Sequence, residues 1–354
     1  MTAPGGRVRV VVVEDSLVQR SHLVATLVAE GDITVVGEAT GAREAAALVE
    51  RLRPDVVTLD LEIPEGGGLA AVEQIMAFAP TPILILSGKI AGRESHAAVA
   101  ALVAGALDAV PKPARWTPEA ESDLRRRVRL LGRTPVIRHP RGRLAPVASA
   151  PQQTAASPAR TAAPGGVAVV GIAASSGGPQ ALATVLEGFA GRAAAVLVVQ
   201  HLHPDFLAGF VTWMARVCPL PVATAVAGAT LRPGTVHVGP VGVHLKVDAS
   251  GRRIALDPSP VRLHCPSADE LFSSMARSLG PAGVGVVLTG MGDDGAAGLR
   301  ALRQAGGRTI VQDESTSAVY GMPRAAFAAG AATEVLPLDA VAGAVQRAVR
   351  GVRR

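Results

Sequence analysis

The stretch VAVVGIAASSGGPQALATVL, residues 167–186, joins an apolar run to a second patterned run through two serines and two glycines. Val167–Ile172 has the composition of a buried strand, and Gln180–Leu186 predicts a helix. Ser175 therefore falls on the turn between them, where glycines permit tight backbone geometry and leave a side chain exposed. Taken alone, these residues favour an ordinary glycine-rich turn with a serine N-cap, and the rest of the chain has to decide.

The alternation of strand and helix recurs along most of the chain. In the first part, five apolar runs are each followed by a predicted helix, near 17–29, 41–52, 69–78, 94–104 and 118–131. After the quoted stretch, further strands are predicted near 195–200, 284–289 and 308–312, and a patch with the alternation of β-hairpins near 222–262. Strands that alternate with helices favour a parallel sheet covered on both faces. We predict a (βα)5 domain over 7–131 and a doubly wound, mainly parallel α/β domain over 167–350.

The segment between these domains, 132–166, differs from both. It is rich in Pro, Ala, Ser and Arg and lacks hydrophobic periodicity, which predicts a flexible linker. No acidic residue occurs from Leu124 through Leu186, so the net charge of +6 is concentrated around this connector. Without a helix-turn-helix or finger pattern beside it, the charge does not predict nucleic-acid binding.

Composition limits the class of protein further. The chain has 354 residues, of which 49% are hydrophobic, but no apolar run approaches the ~20 residues of a membrane span. The first residues lack the succession of a basic region, an apolar region and a small-residue cleavage site that is typical of a signal peptide. Two cysteines, Cys218 and Cys265, do not suggest a disulfide framework or a cysteine zinc site. We expect a cytoplasmic protein that is not embedded in a membrane, and a monomer.

Five chemically active side chains follow the strands of the first domain. They are Glu14 and Asp15 after the first strand, Asp60 after the third, Ser87 after the fourth and Lys112 after the fifth. Parallel sheets place their chemistry at the carboxyl ends of the strands, so these residues should meet. Glu14, Asp15 and Asp60 offer the hard oxygen ligands that suit Mg²⁺. Asp60 can take a phosphoryl group as an acyl phosphate, with Lys112 as counter-charge and Ser87 as a hydroxyl that senses the phosphate.

This pattern over 7–131 resembles the receiver domain of two-component response regulators, which have a flavodoxin-like fold. A haloacid-dehalogenase-type phosphatase also uses an aspartyl phosphate. That family has a second Asp two positions after the nucleophile, where this chain has Glu62.

In the second domain, residues with the chemistry of acyl transfer follow three predicted strands. Ser175 follows the first strand, His201 follows AVLVVQ, and Asp293 and Asp294 follow VGVVLT within GMGDDG. A serine, a histidine and an aspartate at one sheet edge can form a nucleophile, a base and an orienting acid. The chain order and Ala173 differ from α/β-hydrolases, so the resemblance to that fold is weak.

Five motifs in order are similar to the catalytic domain of chemotaxis protein-glutamate methylesterases, the CheB family. They are GIAASSGGPQAL, VVQHLHPDFLAGF, HCPSADELFSSMA, VVLTGMGDDGAAGL and VQDESTSAVYGMPRAA. The resemblance implies Ser175 as nucleophile, His201 as general base and acid, and Asp294 as the residue that orients the imidazole. It also implies that the N–H of Met291 is an oxyanion donor. His203, two residues after His201, is the alternative base.

The implied reaction is hydrolysis of glutamate γ-methyl esters on chemoreceptors, with deamidation of receptor glutamines as a second activity. The resemblance implies Mg²⁺ in the receiver, no cofactor for the ester step, a chemotaxis histidine kinase as phosphodonor, and activation when Asp60 is phosphorylated. Two alternatives remain at this point: a response regulator without enzyme activity, whose second domain binds a partner, and a methylesterase that serves a non-flagellar pathway.

Overall fold

The computed structural model describes residues 6–88, 93–113, 115–134, 168–189, 194–259 and 264–352. The elements of the first domain are β1 Val8–Val13, α1 Leu17–Val28, β2 Ile33–Ala39, α2 Ala42–Leu52, β3 Val56–Asp60, α3 Gly67–Phe78, β4 Ile83–Ser87, α4 Arg93–Val103, β5 Asp108–Pro111 and α5 Pro118–Gly132. The predicted linker lies outside the described residues from 135 onward.

The elements of the second domain begin at residue 168. They are β6 Ala168–Ala174, α6 Gly178–Glu187, β7 Ala194–Gln200, α7 Leu207–Val217, β8 Val222–Thr224, β9 Thr235–Val238, β10 His244–Val247, β11 Ile254–Asp257, α8 Ala268–Ser278, β12 Gly283–Val287, α9 Ala296–Gln304, β13 Arg308–Gln312, α10 Met322–Ala328, β14 Glu334–Leu336 and α11 Leu338–Val352.

The first sheet has the strand order β2-β1-β3-β4-β5, and every pair in it is parallel. The residues of β3 and β4 are all buried, as expected of strands with helices on both faces. This confirms the predicted (βα)5 domain. Asp60 is the last residue of β3 and Ser87 the last of β4, while Glu14 and Lys112 directly follow β1 and β5. The carboxyl edge of the sheet therefore gathers these side chains.

The second sheet has seven parallel strands in the order β14-β13-β12-β6-β7-β9-β8. Strand β6 is buried along its whole length, because Val170 and Ile172 face one apolar cluster and Val169 and Ala173 face the other. Its neighbours are β7 on one side and β12 on the other, so the strand order reverses at β6. Such a reversal opens a crevice at the carboxyl ends of the strands, where ligands bind in this class of sheet.

The patch near 222–262 differs in part from the predicted hairpins. Strands β10 and β11 do pair antiparallel, but β8 and β9 extend the main sheet in parallel. In β9 the buried residues Val236 and Val238 alternate with Thr235 and His237. A short alternating run has the same pattern near a sheet edge as in a hairpin, so the sequence alone could not separate the two.

None of the helices within the described ranges is long and apolar enough to cross a bilayer.

Candidate active site

Ser175 lies one residue beyond β6, in the turn that leads to α6. Its N–H donates to the carbonyl oxygen of Thr289 at 3.1 Å, and its own carbonyl accepts from the Gly178 N–H at 2.8 Å. Gly177 has a φ of +73°, and a Cβ there would lie 2.7 Å from the Cβ of Ala318. Both facts require glycine at this position. The glycine pair therefore shapes the turn that holds the half-buried Ser175.

His201 directly follows β7, the neighbour of β6, and its ring pairs with Asp294. Its Nε2 lies 2.9 Å from Asp294 Oδ2, and its backbone N–H donates to the Ala174 carbonyl at 3.0 Å. The other ring nitrogen, Nδ1, is buried and has no hydrogen-bond partner among the described residues. With Asp294 ionised, Nε2 carries the proton and Nδ1 keeps its lone pair. Nδ1 is therefore the nitrogen that can accept a proton from a hydroxyl.

Asp294 is bound at the N-terminus of α8. Its carboxylate accepts hydrogen bonds from the Ser267 hydroxyl at 2.7 Å, the Ala268 N–H at 2.7 Å and the Asp269 N–H at 3.2 Å. Burial alone would raise the pKa of Asp294. The interaction with His201, together with the hydrogen bonds from the Ala268 N–H and the Ser267 hydroxyl, outweighs burial and holds the pKa of Asp294 well below its usual range. The carboxylate that orients the imidazole is therefore ionised at neutral pH.

The two adjacent acids of GMGDDG have different surroundings. Asp294 is buried against His201, whereas Asp293 is exposed. The side chains that line the groove beside them, between α9 and α10, enclose about 910 Å³ and include His264, Asp293, Asp294, Arg300 and Gln304. The structure thus brings only Asp294 to the imidazole and leaves Asp293 at the groove wall.

The structure separates the two candidate bases. His203 Nδ1 lies 3.0 Å from a carboxylate oxygen of Asp205, and both side chains are more than one-third exposed. His201 is the histidine that pairs with Asp294.

A third histidine, His264, lies against the ring of His201. The two ring centres are 4.4 Å apart and the ring planes differ by 13°, which is a stacked arrangement. Burial, and then the neighbouring His201 ring, lower the pKa of His264. His264 and Ser267 both lie in the HCPSADELF motif, and sequence reasoning assigned neither of them a role. Their place just before α8 was the available signal, because helix N-termini attract carboxylates.

The backbone around Gly290 passes directly against the serine. A Cβ on Gly290 would lie 2.8 Å from Ser175 Cβ and 2.4 Å from Met322 Sδ. The Gly290 N–H donates to Val319, and its carbonyl accepts from Met322. Met291 is the next residue along the chain, so its backbone N–H lies one residue from the Gly290 position that packs against Ser175.

The first domain brings its predicted residues together at the carboxyl edge of the sheet. Oxygen atoms of Glu14, Asp15 and Asp60 lie within 4.8 Å of one another, and Asp15 is the exposed member. The Lys112 ammonium lies 2.5 Å from a Glu14 oxygen and 2.6 Å from an Asp60 oxygen. The Ser87 hydroxyl is buried and has no hydrogen-bond partner among the described residues. A buried hydroxyl without a partner is suited to bind an added acceptor group such as a phosphate.

Burial and charge act in opposite directions in this cluster. Burial raises the pKa of Glu14 above its ordinary value, even though Lys112 opposes the shift. For Lys112, burial would lower the pKa, but Asp60 and Glu14 outweigh it and the pKa is raised. The ammonium therefore stays charged between two carboxylates. An all-oxygen set of three carboxylates has the chemistry that Mg²⁺ prefers, so these residues fit that ion.

The two domains pack directly on each other near His201. Phe206, in the 3₁₀ turn Pro204–Phe206, is 1% exposed and belongs to the apolar cluster of the first domain that includes Ala98 and Leu102 of α4. Conversely, Val99 of α4, in the first domain, is buried in the core of the second domain. The loop that carries His201 is thus attached to helix α4.

A second contact between the domains involves the segment beside Ser175. Val319 is buried in an apolar cluster formed mainly by the first domain. Met291, Ala318 and the first domain's Trp116 pack against the same cluster. The first domain therefore contacts both the His201 loop and the segment that carries the Met291 N–H.

Comparison with known proteins agrees with this arrangement. Residues 170–345 match the family model described as CheB methylesterase, and residues 10–121 match the response regulator receiver domain. The protein-glutamate methylesterase/protein-glutamine glutaminase 3 of Anaeromyxobacter dehalogenans is 43% identical over 344 residues, which cover 95% of this chain and 97% of that protein. The protein-glutamate methylesterase/protein-glutamine glutaminase of Agrobacterium fabrum is 41% identical over 337 residues, 94% of each chain.

A third relative is similar over the same extent. The protein-glutamate methylesterase/protein-glutamine glutaminase 3 of Paramagnetospirillum magneticum is 40% identical over 344 residues, 96% of each chain. Similarity at this level over nearly the whole length, with both domains matched in order, shows that the chain belongs to the CheB methylesterase family with an N-terminal receiver domain.

Proposed function

We propose that this chain is a phosphorylation-activated serine hydrolase that removes methyl groups from glutamate γ-methyl esters of chemoreceptors and deamidates receptor glutamines. One observation carries the proposal: His201 is bound to an ionised Asp294 through Nε2, and its buried Nδ1 has no hydrogen-bond partner within the described part of the chain. Ser175 directly follows β6, which lies between β7, the strand that leads to His201, and β12, the strand that leads to Asp294. This is the arrangement of a nucleophile with its base and orienting acid.

In the first half of the reaction, Nδ1 of His201 takes the proton of the Ser175 hydroxyl as Oγ attacks the ester carbonyl carbon. The Met291 N–H binds the oxyanion that forms, a contact of a kind worth about 10²–10³ in kcat. The bond to the methoxy group then breaks, and His201 gives its proton to the departing methoxide oxygen, which leaves as methanol. In the second half, water attacks the acyl-serine by the same route and releases glutamate. With a glutamine side chain, ammonia leaves instead of methanol.

The receiver domain regulates the esterase activity through phosphorylation. We assign Asp60 as the phosphoacceptor and Glu14, Asp15 and Asp60 as the residues that would hold Mg²⁺. A bound Mg²⁺ would neutralise charge on the transferring phosphoryl oxygens. Lys112 already contacts Asp60 and would pair with the new phosphate, and the Ser87 hydroxyl, which no described residue binds, would donate to it. A histidine kinase of a chemosensory pathway is the proposed phosphodonor.

Phosphate at Asp60 can reach the esterase through the packing between the domains. New contacts of the phosphate with Ser87 and Lys112 would shift the β4–α4 and β5–α5 segments from one conformation toward another. Helix α4 holds Phe206, and Trp116 follows β5. Movement of these elements would release the His201 loop and uncover Ser175. The proposed divisions are a receiver over 7–131, a linker over 132–166 and a catalytic domain over 167–350, in a monomer that works in the cytoplasm.

The experiment is methanol release from methylated receptor membranes, with and without Mg²⁺ and a small phosphodonor. We expect release by the wild type to rise with the phosphodonor and to be lost in Ser175→Ala. No release under any condition, from receptors that a characterised methylesterase does demethylate, would contradict the proposal and favour a receiver joined to a binding module. The same assay with receptors of flagellar and of non-flagellar pathways would show which pathway is served, because methanol would be released only from the receptors of that pathway.

A further inference from the structure

Gln200 is the last residue of β7, and its side-chain amide lies between the nucleophile turn and the base. Its Nε2 donates to the Ser175 carbonyl at 2.9 Å and to the His201 carbonyl at 2.9 Å. The residue is 2% exposed. One amide group therefore binds the backbone of both residues that must exchange a proton. It is the only polar residue in the otherwise apolar strand AAVLVVQ.

The orientation of this amide follows from its surroundings. Two carbonyl oxygens face Nε2, so the reverse orientation would set the amide oxygen against two acceptors. The amide oxygen, Oε1, is buried without a hydrogen-bond partner among the described residues. It points toward Gly178, where a Cβ would lie 2.1 Å away. The second glycine of the turn thus leaves room for the Gln200 amide.

The two hydrogen bonds of the Gln200 amide lie just beyond the point where the pairing of β6 with β7 ends. Strands β6 and β7 pair up to Ala174 and Gln200, and Ser175 and His201 are the next residues on each side. Beyond that point, the backbone bond from His201 N–H to the Ala174 carbonyl and the two bonds of Gln200 join the segments. A proton passes from hydroxyl to imidazole only at about 2.6–3.2 Å between the heavy atoms. The spacing of the two backbones therefore governs whether Ser175 Oγ reaches Nδ1.

We propose that Gln200 is a positioning residue for the ester hydrolysis: its amide sets the separation of Ser175 and His201 without touching the substrate. The proposal rests on the proposed function of Ser175 as nucleophile. Misplacement of reacting groups by about 1 Å can cost on the order of 100-fold in rate. We expect loss of the two donors to lower kcat about 10- to 100-fold and to leave KM within about twofold, because substrate contacts are unchanged.

The test uses the full chain activated with Mg²⁺ and a small phosphodonor. Gln200→Met keeps the length and apolar stem of the side chain but removes both donors. Gln200→Glu keeps the shape and replaces the donors with acceptors. Thr309→Val is the matched control, because it too removes two hydrogen bonds of one buried side chain, those with the Thr333 hydroxyl at 2.9 Å and the Thr333 N–H at 3.0 Å, near the opposite end of the sheet. The readouts are kcat and KM for methanol release, the rate at which a fluorophosphonate labels Ser175, and the Tm of each variant.

The outcomes separate the proposals. Slower labelling and lower kcat in Q200M and Q200E at unchanged KM, with T309V like wild type, support the positioning role. A Q200M that folds and is labelled at the wild-type rate overturns it and leaves the esterase function intact. A wild type that is not labelled at Ser175 overturns both. Should Q200M fail to fold, Q200E decides by the same rates.

Q200E adds a signature that loss of packing would not produce. A buried carboxyl group can have its pKa raised toward neutrality or above, and its protonated form donates one hydrogen bond. The kcat of Q200E relative to wild type should therefore rise as the pH falls from about 8.5 to about 6. A ratio that stays constant or falls over this range contradicts the donor role.

Discussion

Phe206 follows His201 by five residues, and its side chain is buried in the apolar cluster of the receiver rather than in that of its own domain. The loop that carries the base is therefore attached at one end to the catalytic sheet and at the other to helix α4. This contact gives the receiver a direct mechanical connection to the imidazole.

Removal of the Phe206 side chain should raise the methylesterase activity of the unphosphorylated chain. A buried Phe→Ala change removes packing worth about 3–5 kcal/mol, which here would come from the closed arrangement. For Phe206→Ala we expect methanol release without phosphodonor to increase about tenfold or more, and release with phosphodonor to change little. Phe78→Ala is the control, because Phe78 is 71% exposed on α3. Lower activity in both states would show instead that Phe206 holds His201 in its working position.

Loss of the Ser267 hydroxyl should impair catalysis through Asp294. The hydroxyl donates to Asp294 Oδ1 at 2.7 Å, and a hydrogen bond to a charged group contributes about 1.5–3 kcal/mol. In Ser267→Ala the pKa of Asp294 should rise toward its ordinary value but stay below neutrality. We expect kcat to fall about tenfold at neutral pH with KM unchanged. Initial rates of methanol release at varied receptor concentration check this, and a change in KM alone would contradict it.

His237 should make folding sensitive to mild acid. Both ring nitrogens are buried and have no hydrogen-bond partner among the described residues, and burial lowers the pKa of the ring. The unfolded chain therefore binds a proton below about pH 6.5, where the folded chain does not, and stability falls as pH decreases through this range. The slope from one such group is at most about 1.4 kcal/mol per pH unit.

His237→Leu should remove this part of the dependence. We expect urea midpoints of the variant to change less than those of wild type between about pH 7.5 and about pH 5.5. His96→Leu provides a comparison at an exposed histidine. Equal slopes in wild type and H237L would exclude His237 as a source of acid sensitivity.

The increase in methanol release that a phosphodonor causes should depend on the carboxylate cluster of the receiver. Ester cleavage itself should not. Asp60→Asn removes the phosphoacceptor, so a small phosphodonor should no longer raise methanol release. Chelation of Mg²⁺ should abolish the stimulation of the wild type in the same way. Neither change should eliminate unstimulated release, because Ser175 and His201 lie in the other domain. Stimulation that persists in D60N would place the phosphoacceptor elsewhere.

The strand-end rule explains how much of this site the sequence could predict. Ser175, His201 and Asp294 each follow a parallel strand, and the carboxyl ends of such strands meet whatever the loops do. Ser267, His264 and Gln200 reach the site through the directions of their side chains. Those directions depend on packing, on which the sequence pattern is silent. Strands β8 and β9 were misplaced for a related reason, since alternation reports burial but not the pairing partner.

The way in which Asp294 is held has a consequence for the environment in which the enzyme can work. The three donors that α8 supplies to its carboxylate are a hydroxyl and two peptide N–H groups, all of them neutral. Dissolved ions weaken attraction between exposed charges over a distance of about 8 Å at physiological ionic strength, but they scarcely affect buried dipoles in contact. The orientation of His201 by Asp294 should therefore be insensitive to the ionic strength of the surroundings.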